Sequence, residues 1–174
     1  MSSNRVINSR LSPRQIPELL QTVFVAELLI PSRCLWLVSP WVSDIPIIDN
    51  TANNFLALEP SWSRSRIRLS QVLLTLAEKG TTIHVATRTD THNRSFMESL
   101  KMMAEVKGLT VQLHQQEELH AKGLVGDSFA INGSMNFTFN GITVNEEEVN
   151  YYTDPKAIAE RKIILTERWG GVKS

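Results

Sequence analysis

His120-Ala121-Lys122-Gly123-Leu124-Val125-Gly126-Asp127 runs directly into Ser128-Phe129-Ala130-Ile131-Asn132-Gly133-Ser134-Met135-Asn136. As a pattern this is H-x-K-x4-D-x5-G-S-x-N, with Asn145-Glu146-Glu147 downstream. On a strand, side chains two apart share a face. The spacing therefore predicts that His120 and Lys122 project side by side with Leu124, while Ala121, Gly123 and Val125 take the other face. Both faces are apolar or small below the charged pair, as in a strand buried within a sheet. Gly126-Asp127-Ser128 reads as a tight turn, and Phe129-Ala130-Ile131 as the returning strand. Gly133-Ser134-Met135-Asn136 then offers backbone amides, a hydroxyl and a carboxamide to an oxyanion. A neutral nucleophile, a fixed cation and neutral donors converging on one spot suit a phosphate diester.

These residues resemble the HKD motif of the phospholipase D superfamily, closely over about thirty residues and in element order over most of the chain. The resemblance implies an α/β fold with a mixed, largely parallel sheet flanked by helices on both faces. It implies a metal-independent phosphodiesterase that needs no cofactor, with His120, Lys122, Asp127, Ser134 and Asn136 as catalytic residues. Glu147 falls where small single-motif nucleases of the family place a Glu that orients the imidazole, with Glu146 and Glu148 as the alternatives in the same acidic run. The chain departs from the family at one point. Six residues usually separate the Asp from Gly-Ser, and five do so here, which reads as a hairpin shortened by one residue.

The motif occurs once. In-line displacement at phosphorus needs a nucleophile on one side and a proton donor on the other. One histidine cannot occupy both sides. Single-motif members of the family form symmetric dimers, so the resemblance implies a homodimer with both motifs at the twofold axis.

At 174 residues the chain is expected to form a single domain over residues 1–174, with an N-terminal helical segment at 1–30 packed on it. Net charge is zero, but residues 1–101 carry +3 and 102–174 carry −3. Bulk charge therefore does not demand a nucleic-acid partner, and any basic surface is local. The lone Cys34 cannot form an intrachain disulfide and reads as a small buried hydrophobe in a reducing compartment. The N-terminus lacks the apolar core of a signal peptide, and the run Leu19–Ile30 is too short and too polar to span a bilayer. A cytoplasmic protein with no membrane partner is the expectation. His84, His92 and His114 make no metal-ligand spacing with each other or with Cys34.

Ser12-Pro13-Arg14-Gln15 reads as a capped helix start, followed by the apolar stripe Ile16, Leu19, Leu20, Val23 and Phe24. CLWLVS at 34–39 reads as a central strand, which puts the loop Pro40–Asp44 at the sheet edge where open α/β folds bind ligands. Residues 49–68 are irregular and carry Trp62, Arg64, Arg66 and Arg68. These residues read either as a solvated loop or as a nucleic-acid contact, with guanidinium groups on phosphates and Trp62 stacked on a base. Helices at 69–79 and 95–107 alternate with strands at 81–88 and 109–115, which argues for parallel strands. A strand at 145–153 and a helix opened by Asp154-Pro155 close the chain.

The leading expectation is a DNA endonuclease acting through a phosphohistidine, a partner class that rests on small bacterial relatives and on the arginine-rich loop. A larger defence or DNA-modification complex would supply restraint. One alternative is a catalytically silent or partner-activated DNA-binding subunit of such a complex. Another is a phospholipase or phosphatidyl transferase, which would need an apolar entrance or a basic amphipathic helix that the sequence does not show.

Overall fold

The computed structural model describes residues 3–170. In chain order the elements are β1 (Asn4–Asn8), α1 (Gln15–Leu29), β2 (Cys34–Val38), β3 (Pro46–Asp49), β4 (Arg66–Arg68), α2 (Leu69–Glu78), β5 (Thr82–Arg88), α3 (Thr91–Val106), β6 (Val111–Gln116), β7 (Gly123–Val125), β8 (Ala130–Gly133), α4 (Phe139–Thr143), β9 (Glu148–Tyr152) and α5 (Pro155–Trp169). Seven strands form one sheet in the order β1-β9-β8-β7-β2-β5-β6, and β3 pairs with β4 apart from it.

The mixed sheet is as expected, but its parallel part is only the β2–β5–β6 half. The other four pairings are antiparallel, so "largely parallel" does not hold. Hairpin-length links join β7 to β8, and an antiparallel neighbour needs no crossover helix. The N-terminal segment is also corrected. It begins with a strand, β1, that pairs with β9, and α1 starts at Gln15 behind Arg14, which supplies no side-chain cap.

Alternation along β2 decides what lies on each face. Leu35 and Leu37 enter the larger core with Ile83, Val85, Leu124 and Ile131, packed under α1, α2 and α3. Trp36 and Val38 enter a smaller core with Ala86, Val125 and Ala130, closed by Ile158 and Leu165 of α5. There Trp36 stacks on His84 at 3.8 Å, and His84 Nδ1 lies 3.1 Å from His114 Nε2. Burial and the neighbouring His114 hold His84 down at about 4. Gly80 and Gly108 stop α2 and α3 in the left-handed region, at φ +95° and +66°.

Buried Glu27 of α1 accepts from the backbone N–H and hydroxyl of Ser32, both at 3.0 Å. Burial pushes its carboxyl up, against the pull of those bonds. Among the described residues no helix is long and apolar enough to cross a membrane.

Candidate active site

Because β7 runs antiparallel to β2, β8 to β7 and β9 to β8, four chain segments meet at one edge of the sheet. They are the end of β2, the start of β7, the end of β8 and the start of β9. The parallel neighbour β5 also ends there. This edge brings together His120, Lys122, Ser134, Asn136 and Glu147, and adds Arg88 from the end of β5. The loop after β2 lies against the loop after β8: Ser43 N–H donates to the Phe137 carbonyl at 2.9 Å, and Phe137 N–H donates to the Ser39 hydroxyl at 3.1 Å.

His120 and Lys122 precede β7 rather than lying within it. The exposed His120 ring has Nδ1 3.2 Å from Nη2 of Arg88, which also donates to the Leu119 carbonyl at 3.0 Å. A guanidinium only donates, so the facing imidazole nitrogen must accept. Lys122 donates to the His120 carbonyl at 3.0 Å. Among the described residues, none of His120, Lys122 and Arg88 forms an ion pair with a carboxylate. Arg88 Nε is buried and has no hydrogen-bond partner among the described residues. The guanidinium lies 4.7 Å from the centroid of Trp41, whose Nε1 donates to Asp90 at 3.4 Å. Asn136 Oδ1 accepts from Ser39 at 3.4 Å, which leaves its amide N–H groups to donate elsewhere.

Sequence reasoning missed Arg88, which reads there as the last residue of an alternating strand. The signal available was its position at the C-terminal end of a parallel strand. It also missed Asn93, which lies just ahead of the helix expected at 95–107. The helix starts earlier, at Thr91, and is capped by Asp90, which accepts from His92 N–H at 2.8 Å. Buried Asn93 accepts from Val42 N–H and donates to the carbonyls of Pro40 and Arg88, each at 2.8 Å. It clamps the ends of β2 and β5 and so sets where Trp41 and Arg88 stand.

Three residues stand otherwise than their expected roles require. Glu147 is buried, but it accepts from the Ser134 hydroxyl and from Asn145 Nδ2 (3.3 Å), while its N–H donates to Ser9 at 2.7 Å. It therefore holds Ser134 and the entry of β9, and Arg88 occupies the place beside His120 expected for a carboxylate. The Ser134 hydroxyl is committed to Glu147 and accepts from Glu148 N–H at 3.0 Å. Asp127 sits at the opposite edge of the sheet, because β7 carries it away from His120. There it accepts from Arg33 N–H at 2.8 Å and from Lys162 of α5. Burial opposes its charge, yet the Lys162 and Arg33 bonds hold its carboxyl below the ordinary value. The two-residue turn it occupies closes with Gly126 N–H donating to the Phe129 carbonyl at 3.1 Å, so the short hairpin is intact.

Trp62 is 7% exposed and packs in the larger core, where no base can reach its face. Arg64, Arg66 and Arg68 are exposed at the β3–β4 ribbon. Arg68 is already engaged, donating to the Asp44 carbonyl at 2.5 Å. Among the described residues, no three side chains of metal-ligating type come together.

A family described as "Cardiolipin synthase, PLD-like domain" matches residues 45–169. No curated protein matches the chain. Among solved structures, Nuc of Salmonella typhimurium, a phospholipase D family member, superposes with TM-score 0.63 at 16% identity, covering 98% of this chain and 95% of that one. NucT of Helicobacter pylori gives 0.60 at 10% identity, with 96% and 95% covered. The archaeal chromatin protein TrmBL2, described by its DNA binding, gives 0.54 at 13% identity, with 96% of this chain and 52% of that one covered. The chain belongs to the phospholipase D-like domain family as a member with a single H-x-K motif, and with the family goes the class of reaction, enzymatic cleavage of a phosphodiester.

Proposed function

We propose that the chain is a metal-independent nuclease acting on DNA through a phosphohistidine intermediate in a homodimeric site. The observation that carries this reading is the gathering of His120, Lys122 and Arg88 at one sheet edge with, among the described residues, no carboxylate in an ion pair with any of them. Lys122 and Arg88 have no carboxylate in direct contact, Asp90 acting on Arg88 only through space, and a phosphodiester supplies the anion that such cations attract. Lys122, Arg88 and the Asn136 amide hold the nonbridging oxygens. A ring nitrogen of His120 attacks phosphorus and forms the P–N bond as the P–O bond to the leaving strand breaks. The leaving oxygen takes its proton from the partner's His120. That imidazole then removes a proton from water, which attacks phosphorus, breaks the P–N bond and frees His120.

In the described arrangement Nδ1 accepts from Arg88, so a neutral ring carries its proton on Nε2. That tautomer donates; it does not attack. The phosphate is the better partner for a guanidinium, and drawing Arg88 onto it frees the ring. The same contact favours a second reading, an enzyme held in check until a partner of a larger defence or DNA-modification complex shifts Arg88.

The experiment is nicking of plasmid and cleavage of single-stranded DNA in the presence of EDTA, wild type beside His120→Ala. EDTA-resistant cleavage lost in the variant is the expected result. Cleavage that His120→Ala leaves intact would overturn the assignment of the nucleophile. No cleavage by a folded dimer until cognate proteins are added would favour the second reading.

A further inference from the structure

Beside Asn136 a cavity of about 520 Å³ opens along the sheet edge. Trp41 and Phe139 are its aromatic walls, and Ser43, His92, Asn136 and Asn145 supply polar atoms. The volume lies in the range of small-ligand sites. Two features define what fits. Among the described residues no Lys, Arg, Asp or Glu lines the cavity, so its occupant is neutral, not a second phosphate. Its walls mix aromatic rings with amide, hydroxyl and imidazole groups, which suits a flat heterocycle with a polar edge and not an acyl chain.

The walls are held in place. Trp41 has Arg88 over its ring and Asp90 on its Nε1. His92 Nε2 lies 3.0 Å from the Ser43 hydroxyl. Phe139 opens α4, which Thr138 caps by accepting from Gly141 N–H at 3.1 Å. Any side chain at Gly141 would collide with the Asn136 carbonyl, so α4 is seated directly on the loop that carries Asn136. Phe139 is nevertheless 58% exposed, and it makes no ring contact with Trp41 among the described residues.

We propose that this cavity takes the unpaired nucleobase of the nucleotide next to the attacked diester, so that the substrate is single-stranded DNA. The inference rests on the nuclease reading above and names its substrate class. A base stacked in duplex cannot enter a side pocket without leaving the stack, whereas a single strand presents it freely. Asn136 joins the two sites: its amide holds the phosphate, and the base of the same strand falls into the cavity it borders.

The test is binding by the His120→Ala chain, read by fluorescence anisotropy at one fixed salt concentration. The probes are a labelled oligothymidylate, an abasic strand of the same length and charge, and the thymidylate annealed to its complement. The expected result is a preference of about tenfold or more for the base-bearing single strand over both others. Phe139→Ala should reduce that preference to near equality, and Phe139→Trp should retain it. Phe139 is largely exposed, so neither change threatens the fold. Equal binding of the abasic strand, or a preference that survives both Phe139→Ala and Trp41→Leu, would overturn the inference. Hydrolysis of the base-free diester methyl p-nitrophenyl phosphate by the wild-type chain separates the two levels. Its absence with the base preference intact would fail the nuclease reading and leave the pocket. Its presence without base preference would do the reverse.

Discussion

At the scale of single residues, the site turns on a cation, Arg88, whose hydrogen-bond acceptors among the described residues are the Leu119 carbonyl and one nitrogen of His120. Among the same residues its buried Nε–H has none. Hydrogen bonds to charged groups contribute about 2 kcal/mol each, which corresponds to roughly thirtyfold in kcat/KM. Arg88→Met should therefore lower kcat/KM on a diester by about that factor, chiefly through KM, if the guanidinium grips the phosphate. Steady-state kinetics on methyl p-nitrophenyl phosphate check this. An unchanged KM with a raised kcat would show that Arg88 only restrains His120. Gly133 is equally committed, though for backbone reasons. Its φ of +145° and the Glu148 carbonyl behind its Cα leave no room for a side chain just ahead of Ser134.

Between elements, the ends of β2 and β5 are joined by one buried amide, that of Asn93. Asn93→Ala would leave the Val42 N–H and the Pro40 and Arg88 carbonyls without that partner. Each buried unsatisfied group costs about 1–3 kcal/mol. A loss of at least about 2 kcal/mol is expected from urea unfolding, together with weakened activity, because Trp41 and Arg88 are released. On the other face, β5 carries His84 between Trp36 and His114. Its folded value, about 4, lies below that of an unfolded histidine. The neutral ring therefore contributes stability that is present above about pH 6.5 and is lost as pH falls toward 4. Urea midpoints measured between pH 7 and pH 5 should fall for the wild type, and less steeply for His84→Phe, which keeps a ring against Trp36.

For the whole molecule, the proposed chemistry needs two copies of His120. Sedimentation should give a dimer. Mixing wild type with an equal amount of His120→Ala, with exchange of subunits, should then leave activity near about one quarter of the undiluted level, since only one dimer in about four carries both histidines. A fall to one half would mean that each chain works alone.

How much of this was legible beforehand varies with the length scale of the interaction. The H-x-K and G-S-x-N residues, the hairpin joining them and the two β–helix–β units are set by local pattern, spacing and turn chemistry. His120, Lys122, Ser134 and Asn136 accordingly stand at one edge. The order of the sheet was decided by tertiary structure. β1 has no strong signal of its own, with three of its five residues polar, and it exists because β9 offers an unpaired edge. The irregular run 49–68 hides a short ribbon for the same reason, and it drew Trp62 into the core because burying so large a side chain outweighs leaving it exposed. Strand direction decided the site. Within a few residues of sequence, β7 separates His120 from Asp127 by the height of the sheet, while parallel pairing carries Arg88 to His120 from 32 positions away. Linear spacing records neither, because the direction in which a strand runs is determined by its neighbours and not by its own residues.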